Sequence, residues 1–170
     1  MKWLIVSDTH GQTEELEVLK KRYTGEVEAF IHCGDSELSA DSPEIAGYLT
    51  VEGNCDRLDE YPDQLLRQIG PLKFLITHGH LFDVGISQKP LFQRGRELGA
   101  QIICHGHTHF AGAVMHDGIL LINPGSLHLP RNYKEGTYVL LEKNEQTLIV
   151  RYYNFAGHLV KKFSNEFSIK

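Results

Sequence analysis

Short runs of Val, Ile, Leu and Phe recur along this chain, and most of them stop at a Gly, Asp or His. Trp3 to Ser7, Ala29 to Cys33, Tyr48 to Val51, Lys73 to Thr77 and Gln101 to Cys104 are near-continuously apolar, which predicts strands buried on both faces. Glu14 to Arg22 instead carries Leu16 and Leu19 among charges, the pattern of an amphipathic helix returning across one face of a sheet. Pro90 to Leu98 predicts a second helix, with Gly99 just past its end as a C-cap signal. Asp41 and Ser42 ahead of Pro43 predict a further helix start, with proline in the first turn. After residue 110 the pattern changes. Ile119 to Ile122, Thr137 to Leu141 and Thr147 to Tyr153 predict strands, and Lys143-Asn144-Glu145-Gln146 the turn of a hairpin. Strand–helix alternation followed by strands and turns predicts two packed sheets with helices outside, in one domain spanning 1–170.

The 170 residues are enough to bury about two-thirds of the unfolded surface, and 23% charged residues is ordinary for a globular chain. A formal charge of −5 argues against duplex nucleic acid as a partner. A small phosphorylated substrate stays open, because bound divalent cations would reverse the local sign. Cys33, Cys55 and Cys104 are odd in number and no secretory pattern precedes the first strand, so a reduced, cytoplasmic setting is expected. No apolar run approaches the ~20 residues that span a bilayer, so no membrane is expected either.

Chemistry gathers where the apolar runs stop. The exits read Asp8-Thr9-His10, Gly34-Asp35, Gly53-Asn54-Cys55-Asp56, Thr77-His78-Gly79-His80 and Gly106-His107-Thr108-His109. Pooled, Asp8, Asp35, Asn54, His10, His78, His107 and His109 form a mixed oxygen–nitrogen set suited to borderline divalent cations. Asp8 and His10 are two residues apart, as are His107 and His109, so each pair projects to one side of an extended segment. Any single motif is more simply a polar loop or a satisfied core histidine. All five in order, each at a strand end, make coincidence a poor explanation, and their seven ligands are too many for one tetrahedral ion and fit two ions sharing a carboxylate. The chain reads as a two-metal hydrolase.

This motif set resembles the calcineurin-like metallophosphoesterase superfamily, with its DxH, GD, GN, H and GHxH pattern, and within it the small phosphodiesterases of the YfcE type. The Asn123-Pro124-Gly125-Ser126-Leu127 segment and Pro130-Arg131 also fit that branch. The resemblance implies an α/β fold, a four-layer αββα sandwich of two mixed β-sheets flanked by helices, with metals at one edge of the sheets. It implies Asp8, His10 and His109 at a first ion, Asn54, His78 and His107 at a second, and Asp35 bridging them. The ions implied are two divalent cations, Mn²⁺ foremost, with Fe²⁺, Zn²⁺ or Ni²⁺ as substitutes. The implied reaction is hydrolysis of a phosphodiester by in-line attack of a bridging hydroxide.

One departure concerns the third motif, where many members have GNH followed by an acid and this chain has Cys55 before Asp56. A thiol is a weaker donor than imidazolium, so Cys55, Asp56 and His80 are all candidates for handling the leaving-group proton. Arg131 is a candidate phosphate contact through its donor fork, an ordinary surface arginine being the simpler reading. His105 is a candidate for holding a ligand residue, His32 for a structural role, and His116, His128 and His158 for none. A homodimer or homotetramer is expected from relatives of this kind. The alternative function is a non-catalytic scaffold on the same fold, as in a subunit of the retromer coat. Such scaffolds tend to lose motif histidines, whereas all seven ligand positions are intact here.

Overall fold

The computed structural model describes every residue except Lys170. Chain order runs β1 (Lys2–Val6), α1 (Glu14–Tyr23), β2 (Ala29–His32), β3 (Tyr48–Thr50), β4 (Gln64–Ile69), β5 (Leu72–Thr77), α2 (Lys89–Leu98), β6 (Ile102–Cys104), β7 (Gly112–His116), β8 (Ile119–Asn123), β9 (Thr137–Lys143), β10 (Thr147–Asn154) and β11 (Asn165–Ser168). One sheet has the order β11-β10-β9-β1-β2-β3 and the other β4-β5-β6-β8-β7. Both are mixed, with a parallel run β1-β2-β3 reaching one edge of the first and a parallel run β5-β6-β8 inside the second.

Strand periodicity explains the layers. In β1, Trp3 and Ile5 point into the core between the sheets, where they meet Phe74, Ile76, Ile122 and Val139. Leu4 and Val6 point the other way, onto Leu16 and Leu19 of α1. In the second sheet, Leu75, Ile103 and Leu121 face outward onto Leu91 and Phe92 of α2. Central strands thus have no wet face, which is why they read as unbroken apolar runs. The stack is helix, sheet, sheet, helix, the expected four-layer sandwich. Trp3 and Phe74 tie the sheets together with ring centroids 5.3 Å apart.

The helix expected from Asp41-Ser42-Pro43 does not form. Pro43 to Gly47 is a run of turns, and Tyr48 opens β3 immediately afterwards. Too few residues remain for a helix whose nucleus is costly. The turns are fixed instead by Ile45 in the core and by Lys20 Nζ donating to the Pro43 carbonyl at 3.2 Å. Three strands went unrecognised, β4, β7 and β11. Each lies at a sheet edge and has no buried residue. β7 joins β8 through Asp117-Gly118, both with positive φ (49° and 77°), the two-residue turn that matches strand twist. The hairpin expected around Lys143 to Gln146 is present as the β9–β10 pair.

Candidate metal centre

Each ligand candidate sits where a strand ends. Asp8 and His10 follow β1, Asp35 follows β2 and Asn54 follows β3, while His78 follows β5 and His107 and His109 follow β6. Five of these, Asp8, His10, Asp35, His107 and His109, hold the left-handed backbone conformation, with φ of 54°, 46°, 53°, 68° and 59°. That conformation costs a non-glycine residue about 1–3 kcal/mol and persists only where its surroundings impose it. Here the imposing contacts are backbone bonds between exits: Asp8 N–H to Gly34 O (3.1 Å), His10 N–H to Asp35 O (3.0 Å) and Gly106 N–H to His78 O (3.0 Å).

The side chains converge. Asp8, His10 and His109 present ligand atoms within 4.8 Å of one another, as do Asp8, Asp35 and His78. His109 Nε2 lies 3.2 Å from Asp8 Oδ1, and His78 Nε2 lies 3.2 Å from Asp35 Oδ2. His10 Nε2 lies 3.3 Å from His109 Nε2. Asn54 Oδ1 reaches His78 Nε2 at 3.2 Å, and the His107 ring stands edge-on to His78 at 5.2 Å between centroids. Asp8, Asp35, His78 and His109 are buried, His10 and His107 half-buried, and Asn54 exposed at the mouth.

Hydrogen bonds at the far nitrogens orient the three rings. His78 Nδ1 donates to Cys33 O (2.7 Å), His109 Nδ1 to Leu129 O (2.8 Å) and His10 Nδ1 to Glu37 Oε1 (2.7 Å). Each Nε2 is therefore free to turn a lone pair inward, toward carboxylate oxygens that also carry only lone pairs. Among the described residues, the fully buried Asp8 Oδ1 has no hydrogen-bond partner. Something positive must lie among these atoms. Protons can serve: burial lowers the His78 pKa, but Asp35 and Asp8 more than offset it and hold it above the usual value, and Asp8 raises His109 likewise. Divalent cations serve better, displacing those protons on binding. The donor set fits them.

Glycine is required at two of the motifs by close approach. A Cβ on Gly106 would overlap Ser7 Oγ and Asp8 Oδ2, and one on Gly53 would overlap the Asp35 carboxylate and amide. Neither residue has a positive φ. Space is the constraint there, not conformation.

The candidate proton-handling residues differ in placement. Cys55 is exposed, its N–H donates to Asp35 Oδ1 (2.8 Å), and its thiol is pushed up to about 11 by burial and by Asp35. His80 opens a 3-10 turn (His80–Phe82), with its ring 5.4 Å from His78; burial and then His78 hold it below the usual imidazole range. Asp56 turns away from both. Its Oδ2 accepts from Asp35 N–H (2.8 Å) and Gly53 N–H (2.7 Å), and its Oδ1 from Glu37 N–H (2.7 Å) and Ser36 Oγ (3.2 Å). Those four bonds use the capacity of a carboxylate and knit the second and third motifs together.

Of the other histidines, His105 is buried, donates to Gly106 O (3.1 Å), and is held down at about 4 by burial. It bonds the backbone beside His107, not a ligand side chain. His116, His128 and His158 lie outside the cluster. Arg131 is exposed and shares a cavity wall with His107. Two supports act from outside the ligand set. Ser126 Oγ donates to Asp8 O (2.7 Å) and accepts from Leu129 N–H (2.7 Å), so the Asn-Pro-Gly-Ser segment holds the loops of Asp8 and His109 together. Glu37, the partner of His10, resembles any surface acid in sequence.

His32 is structural as expected, and it makes a prediction. It accepts from Gly34 N–H at Nδ1 (3.2 Å) and pairs with Thr9 Oγ1 at Nε2 (2.9 Å), an arrangement that suits only the neutral ring. Burial holds its pKa down at about 4, against about 6.5 in an unfolded chain. As pH falls between those values the unfolded chain takes up a proton that folded His32 refuses, so stability drops. The slope is up to about 1.4 kcal/mol per pH unit for one such group. Urea midpoints measured with chelator from about pH 7 to pH 5 are expected to fall, and less steeply in His32→Gln. Equal slopes in the two proteins would contradict this.

Comparison with known proteins agrees with the geometry. Residues 1–146 match the family model of the calcineurin-like phosphoesterase superfamily domain. The chain belongs to that superfamily, which supports a metal-binding phosphoester hydrolase. It is 41% identical over 169 residues to the probable metallophosphoesterase YsnB of Bacillus subtilis (strain 168), covering 99% of this chain and 100% of that one. Among solved structures, a conserved uncharacterized protein (predicted phosphoesterase) from Streptococcus pneumoniae TIGR4 superimposes with a TM-score of 0.94 at 36% identity, over 98% of this chain and 97% of its own. Vacuolar Protein Sorting 29 from Cryptosporidium parvum shares the fold at 18% identity, with a TM-score of 0.74 over 98% and 97% of the two chains. No helix among the described residues is long and apolar enough to cross a membrane.

Proposed function

We propose that this chain is a two-metal phosphodiesterase, with Mn²⁺ as the expected ion. The observation that supports this most is the inward convergence of three Nδ1-anchored histidines on two buried carboxylates. Asp8, His10 and His109 would hold one ion, Asn54, His78 and His107 the other, with Asp35 shared. Two such ions supply an activated water near neutral pH and a clamp on the oxygens of an in-line displacement.

The chain's own residues do the rest. Asp8 and Asp35 contribute two negative charges to the ligand set, few enough that a loaded site attracts an anionic ester. Arg131, at the cavity wall beside His107, offers a planar donor fork to a phosphate. Cys55 keeps its proton at neutral pH, so it acts as a neutral donor beside the leaving group. His80, neutral and close to both His78 and His107, is the second candidate for that role. Asp56 acts by positioning, since its carboxylate is committed to the loops.

The test is Mn²⁺-dependent hydrolysis of a p-nitrophenyl phosphorothioate diester of one configuration at phosphorus in ¹⁸O-labelled water. Direct attack is a single in-line displacement and is expected to invert that configuration. Net retention would indicate two displacements through a phosphorylated protein intermediate and refute direct attack. The second reading, a scaffold, draws on the likeness to the vacuolar sorting protein, which shows the fold alone. A protein that binds metal yet turns over no phosphomonoester, diester or cyclic nucleotide would favour it.

A further inference from the structure

Two adjoining cavities of about 320 and 510 Å³ run away from the metal centre and share Val84, Gln88, Thr108 and Phe110 in their walls. Together they make one groove, in the size range that takes a small organic group. His107 and Arg131 stand at its metal-proximal end. No carboxylate and no lysine line it among the described residues.

Its walls are mixed in a particular way. Phe110 directly follows the ligand candidate His109, yet leaves 52% of its surface exposed, an apolar ring kept in water beside a polar centre. Val84 is buried behind it and closes the groove with an aliphatic surface. The same walls carry two polar groups with hydrogen-bonding capacity to spare, Gln88 and Thr108. The Gln88 amide makes no hydrogen bond among the described residues, so it offers both donors and an acceptor. Thr108 Oγ1 accepts from Asn123 Nδ2 (2.9 Å) and Phe110 N–H (3.3 Å), which leaves its hydroxyl proton free.

Resting on the phosphodiesterase reading, we propose that the groove receives the non-leaving arm of the substrate and that this arm is a nucleoside-type group. Its phosphate sits between the metal centre and Arg131, its base lies flat on Phe110, and the polar edge of the base meets Gln88 and Thr108. Competing arms fit worse. An alkyl chain would bury the Gln88 amide and the Thr108 hydroxyl without partners, which is unfavourable. A glycerol or sugar arm would leave the faces of Phe110 and Val84 unused. A cationic arm would meet Arg131 and no carboxylate.

The experiment holds the leaving group constant and varies the arm. With Mn²⁺-loaded protein, kcat/KM is measured for the p-nitrophenyl ester of thymidine monophosphate and for methyl p-nitrophenyl phosphate. The wild type is expected to favour the thymidine ester at least about tenfold, and Phe110→Ala to lower that ratio about tenfold, as for a base stacked on an aromatic ring. Phe110 is half in solvent, so the substitution leaves the fold intact. A wild-type ratio near one, or a ratio unmoved by Phe110→Ala, overturns the proposal. Hydrolysis of neither ester would refute the phosphodiesterase reading instead. Calorimetric titration with thymidine monophosphate then decides the groove. Binding weakened about tenfold in Phe110→Ala supports it, and no binding, or equal binding by both proteins, overturns it.

Discussion

An Asp35→Asn protein is expected to lose affinity for both ions together, by more than about 100-fold, with loss of activity to match. Asp35 lies between two ligand clusters, one with Asp8 and His78 and the other with His10 and Cys55. Its Oδ2 faces His78 and its Oδ1 is pinned by the Cys55 N–H at 2.8 Å. An asparagine can keep the second contact, so the loops stay folded while one of two ligand charges disappears. Partners outside the ligand sphere already cost about 10–100-fold in metal affinity when removed, so a shared ligand exceeds that range. His109→Ala, by contrast, is expected to weaken chiefly one ion. Elemental analysis and calorimetric titration separate the outcomes. Undiminished stoichiometry for both ions in Asp35→Asn would defeat the bridging assignment.

The second large effect concerns a single methyl group. Gly106→Ala would drive a Cβ into Ser7 Oγ and Asp8 Oδ2, and to 2.9 Å from Ser7 Cβ. Ser7 and Asp8 are fully buried at the end of β1, so they have nowhere to retreat. Overpacking of this kind costs about 1–3 kcal/mol or somewhat more, roughly 2–4 °C in Tm for each kcal/mol at this chain length. The same shift moves Asp8 away from His109, so metal affinity falls as well. Gly112→Ala is the matched control for stability, because a Cβ there meets nothing within 4 Å, and its effect is expected to stay within about 0.5 kcal/mol. Equal melting temperatures for the two variants would show that the exit of β1 is more compliant than its burial indicates.

The convergence of the candidate ligands was readable in the sequence because metal chemistry demands particular side chains and the strand ends put them at fixed places. Asp8, His10, Asp35, Asn54, His78, His107 and His109 could be chosen by residue type, and all seven meet in one cluster. The central strands were equally legible, since burial on both faces leaves unbroken apolar runs. Edge strands were not. Gln64–Ile69 and Gly112–His116 have no buried residue, and polar residues interrupt their apolar positions. Yet Asp117-Gly118 was a hairpin signal in plain view. Supports that act through the backbone, such as the carbonyls of Cys33 and Leu129, leave no trace in residue identity. Asp56 shows the converse. Its place beside Cys55 suggested proton chemistry, but four donors within its own loops claim the carboxylate.

The candidate ligands are divided between the sheets: Asp8, His10, Asp35 and Asn54 hang from one, His78, His107 and His109 from the other. A chain with only one sheet formed carries half a site, and its isolated oxygens or nitrogens have little grip on an ion. On the proposed assignment, metal uptake is therefore expected to be a late event, following the docking of two separately built halves. Bound cations would then seal the finished assembly, closing the open edge of the sandwich against splaying. Such an arrangement would amount to quality control, because only a correctly docked chain could be loaded.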